Sequence, residues 1–232
     1  MSEAKDILQT EIEAHREPRV DPITLEVIRA GLMSIVHEMS ITMDRTSYST
    51  IIREVHDYSC VLFDSNARLI AQAEGIPVFN GSMNFVIDAV LARYPATEMR
   101  PGDMYISNDP YTGGGTHKND INVVMPIFWE GELVMLGASK AHHLDIGGKD
   151  PGSWSSDARN TYQEGLSLPA LRLARDGKIN EGITDILFAN MRVPQLSRGD
   201  FSSQIAAGTV SYTHLRAHET LRYRVCPRLG EK

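Results

Sequence analysis

Cysteine is nearly absent from this chain: only Cys60 and Cys226 occur in 232 residues. Two thiols cannot build a disulfide framework, so a core must come from apolar burial, and a reducing cytoplasm is the expected compartment. Long apolar runs are missing as well. The polar segment 1–20 offers no stretch of signal-peptide or membrane length. Basic charge is in deficit, with 23 Lys and Arg against 30 Asp and Glu. A phosphate-reading surface needs clustered cations, so nucleic acid and membrane surfaces are not expected partners. No Gly-x-x-x-x-Gly-Lys-Ser/Thr phosphate loop is present.

What remains is 42% hydrophobic residues, enough for a buried core. Asp21 before Pro22 reads as an N-cap with proline at the first helical position. Val27, Ile28, Leu32, Ile35, Val36, Met39 and Met43 then recur at helical spacing. Tyr58 to Phe63 and Arg68 to Gln72 flank the turn residues Asp64-Ser65-Asn66-Ala67, a hairpin signal. Ser82 is expected to cap a second helix with Phe85, Val86, Ala89, Val90 and Tyr94 on one face. Pro101-Gly102-Asp103 ends that unit before a short strand, Met104 to Ile106. The fold class is α+β, with mixed, hairpin-rich sheets and packed helices.

The densest chemistry lies in Asn108-Asp109-Pro110-Tyr111-Thr112-Gly113-Gly114-Gly115-Thr116-His117-Lys118-Asn119-Asp120, answered by His142-His143-Leu144-Asp145-Ile146-Gly147-Gly148. Imidazole and carboxylate are ligands for zinc, manganese and iron, and three glycines imply a tight turn or close backbone approach. Between the two segments, Ile121 to Trp129 and Leu133 to Ala141 flank Glu130-Gly131 as a second hairpin. If Gly131 occupies the left-handed position of a three-residue loop, Phe128 pairs with Glu132 and Lys118 with His142. Even-numbered residues then share a face, and Asp120 and His142 become diagonal neighbours within about 7–8 Å. His117, just before the strand, can fold in as a third ligand. A two-residue turn breaks this parity. His143, Asp145 and Asp109 are candidate partners that fix an imidazole or carry a proton. The alternative is a polar network that only holds the loop.

These residues also carry a resemblance. Asp21 to Arg29, Arg45-Thr46-Ser47-Tyr48-Ser49, Asp57 to Asp64, the Asn108-Asp109-Pro110-Tyr111 loop, His142 to Gly148 and Tyr162-Gln163-Glu164-Gly165 together resemble the hydantoinase B/oxoprolinase family. That family also includes acetone and acetophenone carboxylase α subunits. The resemblance implies a divalent metal (zinc, manganese or iron) on His117, Asp120 and His142, with Asp57 as an extra ligand. His143, Asp145 and Asp109 are then catalytic candidates, and Gly113, Gly114 and Gly115 are the close approach to substrate. It further implies a hetero-oligomer with a hydantoinase A-like kinase subunit, which uses ATP to phosphorylate the carbonyl oxygen of a small cyclic amide that the present chain then opens. Alternatives are a carboxylase α subunit and an inactive scaffolding fragment.

The resemblance covers residues 21–208, and the family's B-type chains are longer, so the chain reads as an N-terminal part of a larger fold. A shortened core is expected to expose apolar positions such as Val123, Ile127 and Leu187. Residues 209–232 carry five basic residues against two acidic ones and resemble a translated sequencing-adapter tail. His214, His218 and Cys226 within it are not expected to be ligands.

Overall fold

The computed structural model describes residues 20–217. The segment 1–19 and the tail from 218, with His218 and Cys226, lie outside the described residues. Helix α1 (Pro22–Thr46) starts as its cap residues dictate: Asp21 is extended, and its Oδ1 accepts a hydrogen bond from Thr24 N at 2.9 Å. It buries Leu32, Ile35, Val36, Met39 and Met43, while Val27 stays exposed. A single turn, α2 (Thr50–Arg53), leads into strands β1 (Tyr58–Asp64) and β2 (Leu69–Gln72). Helix α3 (Pro77–Arg93) begins five residues before Ser82, at the proline-marked position. Its buried side is Phe79, Met83, Val86, Ile87 and Val90, and the expected face member Phe85 points to solvent.

Strands β3 (Met104–Ser107), β4 (Asp120–Trp129) and β5 (Glu132–His142) follow, then β6 (Leu171–Arg175), β7 (Lys178–Ile179), α4 (Glu181–Ala189) and α5 (Pro194–Ala217). The seven strands form one antiparallel sheet in the order β2-β1-β5-β4-β3-β6-β7, an α+β fold. One face carries Val61, Phe63, Val124, Leu136 and Ala138 against α3. On the other, Cys60, Leu62, Met135 and Ala141 meet α1, and Ile121, Val123 and Met125 pack in a cluster with Leu187 of α4 and Phe201 of α5.

Val123, Ile127 and Leu187 are therefore buried, contrary to expectation, because α4 and α5 cover that side of the sheet. Apolar exposure falls instead on helix positions such as Ile23, Leu25, Phe85 and Ile186. Helix α5 runs through the change of composition at Thr209. Ser211 is buried, and Val210 and Tyr212 pack partly against the core. Among the described residues, no helix is long and apolar enough to cross a membrane.

Candidate metal centre

The β4–β5 hairpin positions the site, and its turn differs from the expected one. Trp129 pairs with Glu132, so the loop is the two residues Glu130 and Gly131, both at positive φ (48° and 90°), as in a type I′ turn. That turn alone would break the parity. A bulge restores it: Phe128 pairs with Leu133 and Ile127 with Met135, leaving Val134 without a partner. Asp120 ends up directly opposite His142, closer than the diagonal arrangement.

Beside them, Asp57, just before β1, accepts the backbone N–H of His142 at 3.0 Å. One row of the sheet thus presents Asp57, His142 and Asp120. The next row is Ser59, Lys140, Asn122 and Ser107, and beyond it the same face turns apolar at Val61, Ala138 and Val124.

His117 comes in from the turn before β4, where Asp120 N donates to His117 O at 3.1 Å. Its Nε2 lies 2.9 Å from Asp120 Oδ1, and His142 Nδ1 lies 3.3 Å from the same oxygen. One ligand atom from each of the three residues lies within 4.8 Å of the others. The two rings are 4.9 Å apart between centroids. The other Asp120 oxygen accepts from the Thr116 hydroxyl. Yet Asp120 Oδ1, wholly buried, has hydrogen-bond geometry with neither nitrogen. A buried acceptor left unmatched between two imidazole nitrogens costs free energy. A cation shared by the three atoms would remove that cost, so the residues fit a divalent metal by donor type, proximity and this orphaned oxygen.

Electrostatics follow the same geometry. Burial pushes Asp120 up, but the neighbouring imidazoles and Thr116 outweigh it and hold its carboxyl at about 2. Burial pushes His117 down, and contact with Asp120, aided by Asp57, more than offsets it, so the ring titrates above the usual histidine range. Asp57, 3.7 Å from His142 Nδ1, is raised, chiefly by burial. Lys140 is fully buried, donates to the Ser82 hydroxyl at 2.6 Å and sits over the Phe79 ring. Burial lowers it to about 8, against the opposing pull of Asp120. Its place, two residues before His142 on a strand, signals that it shares the His142 face.

The remaining sequence candidates lie around this centre rather than in it. His143 points to the opposite face, where its Nε2 meets Gln204 Oε1 of α5 at 2.9 Å; burial lowers its pKa. Gln204 in turn donates to Ile121 O. Asp145 accepts from Gly147 N, Gly152 N and Arg192, fastening the loop after β5. Asp109 accepts from Tyr111 N and the Thr112 hydroxyl, and its carbonyl takes Gly113 N and Gly115 N. The glycines approach the chain's own backbone: a Cβ on Gly114 would stand 2.3 Å from Phe85 C of α3, and one on Gly115 2.4 Å from Asn108 O.

Two further residues, Trp154 and Glu164, border a cleft of about 420 Å³ into which His117 opens. Trp154 stands edge-on to the His117 ring at 6.3 Å. An aromatic and an acid in glycine-rich loop sequence gave no periodic signal of such a role.

A family model for hydantoinase B/oxoprolinase matches residues 21–218. The beta subunit of the caprolactamase of Pseudomonas jessenii is 37% identical over 196 residues, covering 84% of this chain and 33% of that protein. The B subunit of a putative D-/L-hydantoinase from Pseudomonas sp. is 34% identical, covering 83% of this chain and 33% of that one. The 5-oxoprolinase of Saccharomyces cerevisiae is 39% identical over 73% of this chain and 13% of its own length. The chain thus spans about a third, or less, of these relatives. In structure, the ATP-dependent caprolactamase from Pseudomonas jessenii superposes with TM-score 0.82 and 35% identity, over 90% of this chain and 36% of that one. An acetone carboxylase superposes with TM-score 0.80 at 19% identity, over 90% and 27%, a likeness of fold.

Proposed function

The chain belongs to the hydantoinase B/oxoprolinase family, and on that premise we propose that it carries the metal centre of a B-type subunit of an ATP-dependent cyclic amidase, with His117, Asp120 and His142 as ligands. The observation that carries this reading is Asp120 Oδ1, buried and unmatched between the two imidazole nitrogens. A divalent ion held by those three residues would supply Lewis acidity toward a carbonyl oxygen and lower the pKa of a water toward about 7.

The chain's own residues do the rest. Thr116 fixes the Asp120 carboxylate, and the hairpin register fixes His142. His117, on the solvent side, faces the cleft in which a cyclic amide would sit. Asp57, beside His142, is placed to orient that ring or to take up a proton at its Oδ2. A lactam carbonyl is a poor electrophile, so activation by ATP on a kinase-type partner makes the ring opening feasible. Two of the similar proteins are named as one subunit of a larger enzyme, in keeping with such a hetero-oligomer. The cytoplasm is the proposed compartment, where Cys60, buried and with its thiol pushed up to about 12, stays reduced and unreactive.

Metal analysis tests the centre. After loading with zinc, manganese or iron, the wild type is expected to retain about one equivalent, and His117→Ala to lose it; unchanged content in that variant refutes the ligand assignment. The full-length protein with its kinase-type partner, given ATP and a hydantoin or lactam, is expected to open the ring. Consumption of acetone or acetophenone with bicarbonate instead would make it a carboxylase.

A further inference from the structure

Lys140 carries a positive charge with no counter-ion in contact. Its side chain is fully buried, one row of the sheet behind His142 and Asp120. Among the described residues its ammonium makes one hydrogen bond, to Ser82 Oγ at 2.6 Å, and no ion pair. A lysine has three N–H donors, and burying an ammonium is costly unless it is paired. Asp120 acts on it only through space, and that carboxylate is taken up by His117, His142 and Thr116. The Phe79 ring, with its centroid 5.6 Å from Lys140 Nζ, supplies a quadrupole rather than a charge.

Ser82 links that charge to the surface. It stands on α3 at the wall of a second cleft, of about 420 Å³, which Phe85 of the same helix borders together with Thr112, Gly114 and Gly115 of the glycine loop. The Ser82 hydroxyl accepts from Lys140 and gives its own proton to Phe79 O at 3.0 Å, a bond back along the helix that rotation of the hydroxyl exchanges for another acceptor. Gly114, at positive φ and pressed on Phe85, leaves its N–H without an acceptor among the described residues. No acidic side chain among the described residues lines the cleft; Asp109, in the same loop, is turned onto Tyr111 N and the Thr112 hydroxyl. Gly115 is two residues from His117, and Lys140 two from His142, so at most about 7 Å of chain links each to a proposed ligand.

We propose that this cleft is a phosphoryl-anion site, with the Ser82 hydroxyl and the Gly114 N–H as its donors and the Lys140 ammonium as the charge behind them. The assignment rests on the amidase reading, in which a ring bearing a phosphoryl group arrives at this chain and inorganic phosphate leaves it. An anion in the cleft pairs a charge that is otherwise buried alone, and a hydrogen bond from a hydroxyl or N–H to an ionised acceptor is among the stronger kinds. Lys140 acts on that anion through Ser82, from about 5–6 Å, a separation at which a unit charge in a partly buried setting still counts.

The test is a phosphorus NMR titration of the metal-free chain at pH 7 and fixed ionic strength, with inorganic phosphate and with methyl phosphate as probes. The wild type is expected to bind. Binding of the ester assigns the cleft to the group borne by the ring, and binding of phosphate without the ester assigns it to the released ion. Lys140→Met keeps the bulk of a buried side chain and removes its charge, a change that folding tolerates, and should weaken binding about tenfold or more. Ser82→Ala should weaken it about threefold or more. His117→Ala should stay within about twofold of the wild type; loss of binding there would place the anion on the imidazoles and overturn the cleft. A wild type that binds neither probe, or full binding by Lys140→Met, would overturn it as well. Loss of the amidase reading shows separately, as a wild type that retains no metal or a His117→Ala variant that keeps it.

Discussion

Asp120 and His142 face each other across two hydrogen-bonded strands, and His142 Nδ1 lies 3.3 Å from the buried oxygen that His117 Nε2 approaches to 2.9 Å. One carboxylate therefore governs both rings. In Asp120→Asn, the negative charge that holds the His117 pKa up is gone while the burial that pushes it down remains. In the metal-free chain, NMR titration is expected to show His117 titrating at lower pH than in the wild type. A raised imidazole pKa also means that protons compete with metal, so wild-type affinity should climb as pH rises through the His117 titration. Asp120→Asn is expected to bind zinc at least about tenfold more weakly, measured against a competing chelator.

The adjacent histidines should separate cleanly. His142 is one of the three proposed ligands, whereas His143 is buried on the other face against Gln204. His143→Ala leaves a cavity and strands the Gln204 carbonyl, and should cost about 3 kcal/mol in urea unfolding with metal content retained. His142→Ala should do the reverse, losing metal at smaller cost in stability. Metal loss in His143→Ala without unfolding would refute this division.

The glycine loop offers a comparison of two left-handed positions. Gly114 (φ 71°) presses on α3, where a Cβ would lie 2.3 Å from Phe85 C, while Gly131 (φ 90°) has nothing within 4 Å. An alanine at Gly131 meets only the conformational penalty, about 1 kcal/mol. At Gly114 it must also displace helix backbone, so Gly114→Ala should lose more than about 2 kcal/mol and perturb the segment that leads to His117. Equal losses in thermal unfolding would show that the loop is looser than its packing implies.

How far the sequence disclosed this arrangement depends on which interactions set each element. The Asp21 cap and the apolar spacing of α1 act within a few residues, and both were legible. The hairpin strands were legible too, but not their register. Glu130 at positive φ goes against side-chain preference, and the bulge at Val134 left no mark in the alternation. The two departures compensate, which is why Asp120 and His142 share a face although the expected turn was wrong. The Asp176-Gly177 turn between β6 and β7, both residues at positive φ, is a hairpin signal of the same local kind. The tight seat of Gly114 on α3, the contact between His143 and Gln204 and the fastening of Asp145 by Arg192 are long-range, and no local pattern encodes them.

That fastening gives a pH-dependent test. Asp145 is buried, and although burial pushes its carboxyl up, the N–H groups of Gly147 and Gly152 and the Arg192 side chain outweigh it and leave the group below its ordinary value. A folded-state pKa below the unfolded one, about 3.9, stabilises the fold above that pH, and the benefit is lost as pH falls from there through the folded value. Asp145→Asn keeps the shape but removes the charge that pairs with Arg192. It should destabilise the chain by about 1–3 kcal/mol at pH 7, with a shallower loss of stability below about pH 4 than the wild type. Zinc content at pH 7 should stay that of the wild type, because the proposed ligands sit on β4, on β5 and in the turn before β4, and not on this loop. Parallel acid-unfolding curves for the two proteins would show that Asp145 does not fasten the loop as its contacts indicate, and metal loss in the folded variant would bring Asp145 into the centre itself.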